Sequence, residues 1–256
     1  MRHEVRCEPE KGFVLGIVQD ITLLKNSLKE LENKNKELEQ FAYVAAHDLR
    51  EPLQTIGGFS KVLSAKYKSK IDEEGQEILS YLGNASIRMK NQINGLLTYS
   101  KIGRSGQLQD VDIDKLVKDI QSDFKFEIQE SKTKIIFDQL PIIKGYPVEL
   151  RMLFQNIFSN AMKFRQKAIS PIIQIRCKEA KNFLEFSIID NGIGIAEENI
   201  QKIFDLFTRL NTSSEYTGTG IGLAQCKKII ELHGGTINVH SKLNEGTTFE
   251  FTIKRR

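Results

Sequence analysis

The sequence predicts an α plus α/β protein, an antiparallel helical hairpin followed by an α/β sandwich. Three observations carry that expectation. Apolar residues step by three and four from Ile21 to Leu96. A polar, glycine-containing stretch, Gly103 to Asp110, then interrupts the pattern. Beyond it, helical stretches alternate with short apolar runs bounded by turn residues.

A chain of 256 residues with 40% hydrophobic content can bury the cores of two small domains. Lys and Arg number 37 against 33 Asp and Glu, and the net charge of +4 is spread along the chain. No nucleic-acid partner is therefore expected. The three cysteines, Cys7, Cys177 and Cys226, are far apart and show no CxxC spacing, which points away from zinc or a disulfide framework and toward a reduced, cytoplasmic compartment. No apolar run is long enough to span a membrane, and the first residues lack a signal-peptide pattern. Any span of a longer protein is expected to lie outside this sequence.

Taken in order, Gly12 to Asp20 reads as one apolar strand without a partner strand nearby, so residues 1–22 are expected to be the end of a preceding domain. From Ile21 a heptad seam runs through Leu24, Leu28, Leu31, Asn35, Leu38, Ala42, Ala45 and Leu49. Residues 23–40 are read as a coiled coil, with Asn35 at an a position favouring two strands in one register. The stripe continues past Pro52 to Ile56, Phe59 and Leu63, and a second runs along Ile78, Leu82, Ala85, Met89, Ile93 and Leu96. A connection at about 67–74 makes residues 41–102 a hairpin, and two hairpins make a four-helix bundle, so a homodimer is predicted.

A linker at 103–112 leads into a sandwich at 113–256. Helices are expected at about 113–130, 147–165, 197–206 and 220–232, covering one face of a mixed sheet. Its strands are read at Lys134 to Phe137, Ile172 to Cys177, Leu184 to Asp190, Thr236 to His240 and Thr247 to Ile253.

His47 falls at position f of the heptad and points away from the seam. Asp48 beside it can accept a hydrogen bond from Nδ1, leaving Nε2 unprotonated and nucleophilic. Alone, such a pair is an ordinary solvated surface. Asn156, Asn160 and Lys163 share one helix face at i, i+4 and i+7. Asparagine is a poor mid-helix residue, so two of them one turn apart point to a ligand. An amide oxygen suits Mg²⁺ and a lysine suits phosphate.

The strand ending in Asp190-Asn191-Gly192-Ile193-Gly194 can offer a carboxylate to an adenine amino group beside glycines that let a flat base approach. Gly218, Gly220 and Gly222 alternate into a helix start, where free N–H groups can meet phosphate. This is neither a Rossmann fingerprint nor a P-loop.

Phe41 to Leu53 (FAYVAAHDLREPL) closely resembles the phospho-acceptor box of the sensor histidine kinases of two-component systems. Leu153 to Arg165 resembles their N-box. The two glycine boxes, with Ile203 to Phe207 between them, resemble the ATP-binding fold shared with type II topoisomerases, Hsp90-type chaperones and mismatch-repair ATPases. The resemblance covers about residues 36–254, and the leading strand resembles the exit of a PAS domain. Only the histidine kinases among these carry the upstream His-Asp-Leu-Arg-x-Pro-Leu helix.

The resemblance implies ATP and Mg²⁺ as cofactors, His47 as the phosphorylated residue and Asp48 as its base. It also implies Asn160 as the main metal ligand, Asn156 in support, Lys163 on phosphate, Asp190 on adenine, and Thr208 to Thr217 as a lid. Gly246-Thr247 resembles a further nucleotide-contacting turn. The implied partner is the receiver domain of a response regulator. Glu51 departs from the box, which often has Thr or Asn four residues after the His, and a carboxylate there adds like charge beside a phosphoaspartate.

His233 is expected at a helix end, where a cationic ring suits the dipole, and His240 in a strand. Two other readings compete: a nucleotide-sensing scaffold without phosphoryl transfer, and an ATP-hydrolysing machine, which would want a carboxylate where Asn156 stands.

Overall fold

The computed structural model describes residues 2–7, 14–19, 22–104, 106–166, 169–210, 216 and 218–255. It falls into two compact units, Met1–Glu51 and Pro52–Arg256. No helix among the described residues is long and apolar enough to cross a membrane.

In the first unit, β1 (Arg2–Cys7) pairs antiparallel with β2 (Val14–Gln19), from Arg2 opposite Gln19 to Cys7 opposite Val14. The strand read as partnerless therefore has a partner. Arg, His and Glu occupy four of the six positions of β1 (RHEVRC), so composition hides an element defined by its ladder. Gly12, Phe13 and Asp20 lie outside the described residues.

Helix α1 (Thr22–Lys66) follows and passes through Pro52 without ending. Of the seam positions in this unit, Leu24 and Leu49 are exposed and Ala45 is half-buried, while Ile21 and the side chains of Leu28, Leu31, Asn35, Leu38 and Ala42 lie outside the described residues.

In the second unit, the rest of α1 turns through a short 3-10 helix (Lys68–Lys70) into α2 (Glu73–Lys101). The Asp72 carboxylate caps α2 by accepting the Gly75 N–H at 2.8 Å. The pairing is antiparallel: Ser86 Oγ donates to Leu53 O, Gly83 faces Ser60, and Gln76 Nε2 donates to Lys68 O. Small residues set the closeness, since a Cβ on Gly57 would stand 3.0 Å from Ser86 Oγ. Ile56, Phe59 and Leu63 on one helix and Ile78, Leu82 and Met89 on the other stay exposed along the predicted stripes.

The sandwich begins with β3 (Gln109–Asp112), then α3 (Ile113–Asp123), α4 (Lys125–Ser131), β4 (Lys134–Phe137), β5 (Ile142–Gly145) and α5 (Pro147–Lys163). After these come β6 (Ile172–Glu179), β7 (Phe183–Asp190), α6 (Gly222–Leu232), β8 (Ile237–Lys242) and β9 (Gly246–Lys254). The main sheet runs β4-β6-β7-β9-β8, with β4 and β6 parallel and the other pairs antiparallel.

Leu184, Phe186 and Ile188 of β7 and Phe249, Phe251 and Ile253 of β9 are buried, while Glu185 and Glu250 between them are exposed. That alternation leaves one face for the helices. Phe154 of α5 meets both Phe186 and Phe251 edge-on, and those two rings stack 5.2 Å apart.

Three expectations change. The helix read over 113–130 breaks at Phe124, after the poor helix formers Ser122 and Asp123. The stretch 197–206 forms two 3-10 turns, Glu197–Asn199 and Lys202–Phe204, with Asp205 extended. Part of the supposed linker is β3, which pairs antiparallel with β5; Val111 is its one buried residue, too little for an alternation to show.

The sandwich also touches α2. Ile221, Gln225 and Lys228 share one face of α6 and its cap: Ile221 packs where Gly95 lacks a Cβ, Gln225 Nε2 donates to Gly95 O at 3.2 Å, and Lys228 Nζ donates to Tyr99 O at 2.8 Å. Past α2, Gly103 has φ +87° and its N–H reaches the buried Glu149 carboxylate at 3.3 Å.

His233 caps α6 as expected, yet it is buried: Nδ1 donates to Ile229 O at 2.7 Å, and Nε2 accepts the Tyr146 N–H at 3.1 Å. An accepting Nε2 requires the neutral ring, so the cationic dipole role gives way to a bridge between the starts and ends of two helices.

Candidate active site

The N-box and both glycine boxes meet in one cavity of about 540 Å³, within the range of small-molecule sites. Asn156, Asn160, Lys163, Asp190, Gly194, Gly218, Gly220 and Gly222 line it, and Gly192 lies behind Asp190.

Helix α5 places the polar trio. Its buried face, with Leu150, Leu153, Phe154, Ile157 and Phe158, packs into the core, which turns Asn156, Asn160 and Lys163 toward the cavity. Asn160 Oδ1 and Nδ2 meet no protein partner among the described residues. Lys163 Nζ lies 4.2 Å from the centroid of the Phe164 ring, and no carboxylate among the described residues pairs with it. Burial, with the charge of Arg209 nearby, lowers its ammonium to about 8. A half-buried cation without an anion is a site ready for phosphate.

At the end of β7, burial pushes the Asp190 carboxyl up to about 6, against the pull of N–H bonds from Gly192, at 2.8 Å, and from Thr247. Gln166 Nε2 pins the surrounding loops by donating to the carbonyls of Asn191, Gly192 and Asn244 at 3.0–3.2 Å. Asn191 is structural: its amide bridges the Ser170 carbonyl and the Ile172 N–H. Thr247 is buried beside Asp190, its hydroxyl 2.9 Å from that of Ser241.

The glycines answer to crowding. A Cβ on Gly194, whose φ is +69°, would stand 2.0 Å from Lys242 O, and one on Gly218 would stand 2.7 Å from Lys163 Nζ. Gly220 O accepts the Phe207 N–H at 2.9 Å, joining the 203–207 segment to the glycine loop. Of the expected lid, Thr208, Arg209, Leu210 and Tyr216 line the cavity, Arg209 Nη2 donates to Tyr216 O at 2.8 Å, and residues 211–215 and 217 lie outside the described residues.

His47, in the first unit, is exposed. Its Nδ1 stands 3.4 Å from Asp48 Oδ1, and its Nε2 stands 3.9 Å from Glu51 Oε1.

Sequence reasoning passed over Arg209, Gln166, Gln225 and Ser241. Arg209 was legible as the single basic residue of the segment 208–217, and Gln225 as a lone polar residue between Ala224 and Cys226. Gln166 and Ser241 gave no signal, because their roles depend on loops meeting in space.

The cavity fits a magnesium nucleotide. No three His, Cys, Asp or Glu side chains among the described residues form a metal cage. Mg²⁺ takes few protein ligands when phosphate oxygens and water supply the rest, and the unpartnered Asn160 amide offers one. The Asp190 carboxylate can accept an amino group, and Lys163 and Arg209 can meet phosphates.

Known proteins share two domains with this chain. Residues 37–105 match the His Kinase A (phospho-acceptor) domain, and residues 145–256 match the histidine kinase-, DNA gyrase B- and HSP90-like ATPase domain. Cyanobacterial phytochrome A of Nostoc sp. is 37% identical over 98% of this chain and 33% of its own length. The phytochrome-like protein Cph1 of Synechocystis sp. is 35% identical over 95% and 33%. The chain thus spans about a third of the length of these curated relatives.

Full-length ShkA, solved with AMPPNP, shares the fold at a TM-score of 0.61 and 23% identity, over 84% of this chain and 46% of that one. Histidine kinase ThkA, solved with the response regulator TrrA, does so at 0.59 and 22%, over 100% and 74%. With the phospho-acceptor domain and the ATPase domain matched in this order on one chain, the chain belongs to the sensor histidine kinases.

Proposed function

We propose that this chain is the kinase core of a two-component system, a homodimer that moves the γ-phosphoryl group of ATP to His47 and then to an aspartate of a response regulator. One observation carries the reading: an ionisable acceptor, and an amide and a lysine without polar side-chain partners among the described residues, share one glycine-lined cavity, on a chain that also presents His47 with Nδ1 turned to Asp48.

In the transfer, Nε2 of His47 attacks the γ-phosphorus, a nitrogen–phosphorus bond forms, and the bond to the ADP oxygen breaks. Asp48 holds the Nδ1 proton and offsets the positive charge that develops on the ring. Lys163, Arg209 and the N–H groups of the 218–222 loop hold the phosphates, and Asp190 accepts from adenine. Mg²⁺, held through Asn160 with Asn156 in support, would neutralise phosphate charge.

Since the chemistry is mostly positioning, a signal acts by placing the nucleotide relative to His47. The 23–40 coiled coil, leading from a PAS-like remnant at 1–22, is the proposed transmitter into the 41–102 dimerisation domain, with 103–112 and 113–256 as linker and catalytic domain. The exposed stripes at Ile56, Phe59, Leu63, Ile78, Leu82 and Met89 support dimerisation, and the ThkA complex supports the choice of partner.

The test is incubation of the chain with Mg²⁺ and γ-labelled ATP, comparing wild type with His47→Gln. Acid-labile, alkali-stable label that disappears in the variant is expected. Nucleotide binding without label would favour the sensing scaffold, and steady ATP turnover without a labelled chain would favour the hydrolysing machine.

A further inference from the structure

Asn156 spends both amide hydrogens on protein. Its Nδ2 donates to Gly222 O at 3.2 Å and to Gln225 Oε1 at 3.1 Å. Gln225 is buried, 7% exposed, and does not line the cavity. Its own Nε2 donates to Gly95 O in the middle of α2 at 3.2 Å.

The chain of bonds has only one favourable polarity. A backbone carbonyl accepts and never donates, so Gly95 O requires the nitrogen end of the Gln225 amide. The oxygen end is then turned to Asn156 and requires a nitrogen there. Gly222 O makes the same demand from the other side. Reversing either amide would set oxygen against oxygen in half-buried contacts, at the cost of leaving polar groups unpaired. With Nδ2 fixed inward, Asn156 presents Oδ1 to the cavity.

We infer that Gln225 is a positioning residue that fixes Asn156 with its amide oxygen toward the magnesium nucleotide, and that α2, through Gly95, sets that orientation. The inference rests on the nucleotide site proposed above. An oxygen at this place attracts a cation or accepts from its bound water, whereas an NH₂ group would repel the one and misorient the other. Gly95 makes the approach possible, because a Cβ there would stand 2.8 Å from Ile221 Cδ1. The metal site thereby reads whether α6 is seated on α2.

The test measures ADP affinity of the full chain by calorimetry, with Mg²⁺ and with chelator, for wild type, Gln225→Met and Gln225→Glu. Methionine keeps the volume and loses both bonds. Glutamate keeps an acceptor for Asn156 but cannot donate to Gly95 unless protonated. We expect the Mg²⁺-dependent gain in affinity to fall about five- to tenfold in Gln225→Met, the worth of one buried hydrogen bond, with metal-free affinity within about twofold of wild type. Gln225→Glu is expected to recover at least half of the gain.

A Met variant with the wild-type gain overturns the inference, as does equal loss of metal-free and metal-bound affinity. A Glu variant no better than Met also overturns it, since a role limited to seating α6 would penalise both alike. A wild-type chain whose ADP affinity ignores Mg²⁺ would remove the proposed site and the inference together, which separates that failure from the others.

Discussion

Asp190 accepts the amide of Gly192, two residues on, at 2.8 Å, folding the strand end back so that a largely buried carboxylate faces the nucleotide cavity. Burial outweighs that bond and holds the carboxyl up at about 6. A raised carboxyl stabilises the fold below its unfolded value near 4, and that contribution is lost as pH rises through about 6. Binding runs the opposite way, because an adenine amino group needs the ionised acceptor. Adenosine affinity should therefore fall about tenfold per pH unit below about 6, down toward pH 5, and Asp190→Asn should abolish the titration while weakening binding at pH 7. Calorimetric titrations across pH 5–7.5 check both.

Lys163 should take up a proton when phosphates arrive. Its ammonium is held at about 8 by burial and Arg209, and an anion would raise it again. ADP binding near pH 8 should then absorb a fraction of a proton, read as a dependence of heat on buffer ionisation, while binding at pH 6 should absorb none through this group. Lys163→Met should lose the effect.

Two glycines should respond oppositely to alanine. At Gly194 a Cβ would overlap Lys242 O on a backbone of positive φ, so Gly194→Ala should cost about 2–4 kcal/mol and impair nucleotide binding. At Gly58, inside α1, a Cβ would meet nothing within 4 Å, so Gly58→Ala should stabilise by about 0.5–1 kcal/mol. Urea unfolding of the two variants decides.

Phe154→Ala should destabilise the sandwich by about 3–5 kcal/mol, because this fully buried ring meets both Phe186 and Phe251. Since Phe154 lies on α5, nucleotide binding should fail at the same denaturant concentration as the sheet signal.

The helical hairpin, the five strands of the main sheet and the convergence of Asn156, Asn160, Lys163 and Asp190 were legible because each carries a local signature: a period, a run of β-branched residues, or a polar face where none belongs. What was not legible depends on distant partners. β3 shows one buried residue, β1 reads as polar, and the turns at 197–204 have helical composition without a helix. At the site, Gln225 acts only because Gly95, 130 positions earlier, brings a carbonyl to it. His233 is neutral for a similar reason, since the Tyr146 N–H that fixes its tautomer comes from 87 positions away.

The joint after α2 has a mechanical consequence. Gly103 takes a backbone angle that side chains rarely permit, and its N–H bond to Glu149 holds it beside Ile102, which is buried in the sandwich core. Such a bond is worth about 0.5–1.5 kcal/mol net, at most a few times thermal energy. It therefore works as a detent: the bond marks one angle, while buried Ile102 and the contacts of Ile221, Gln225 and Lys228 with α2 set the torque needed to leave it.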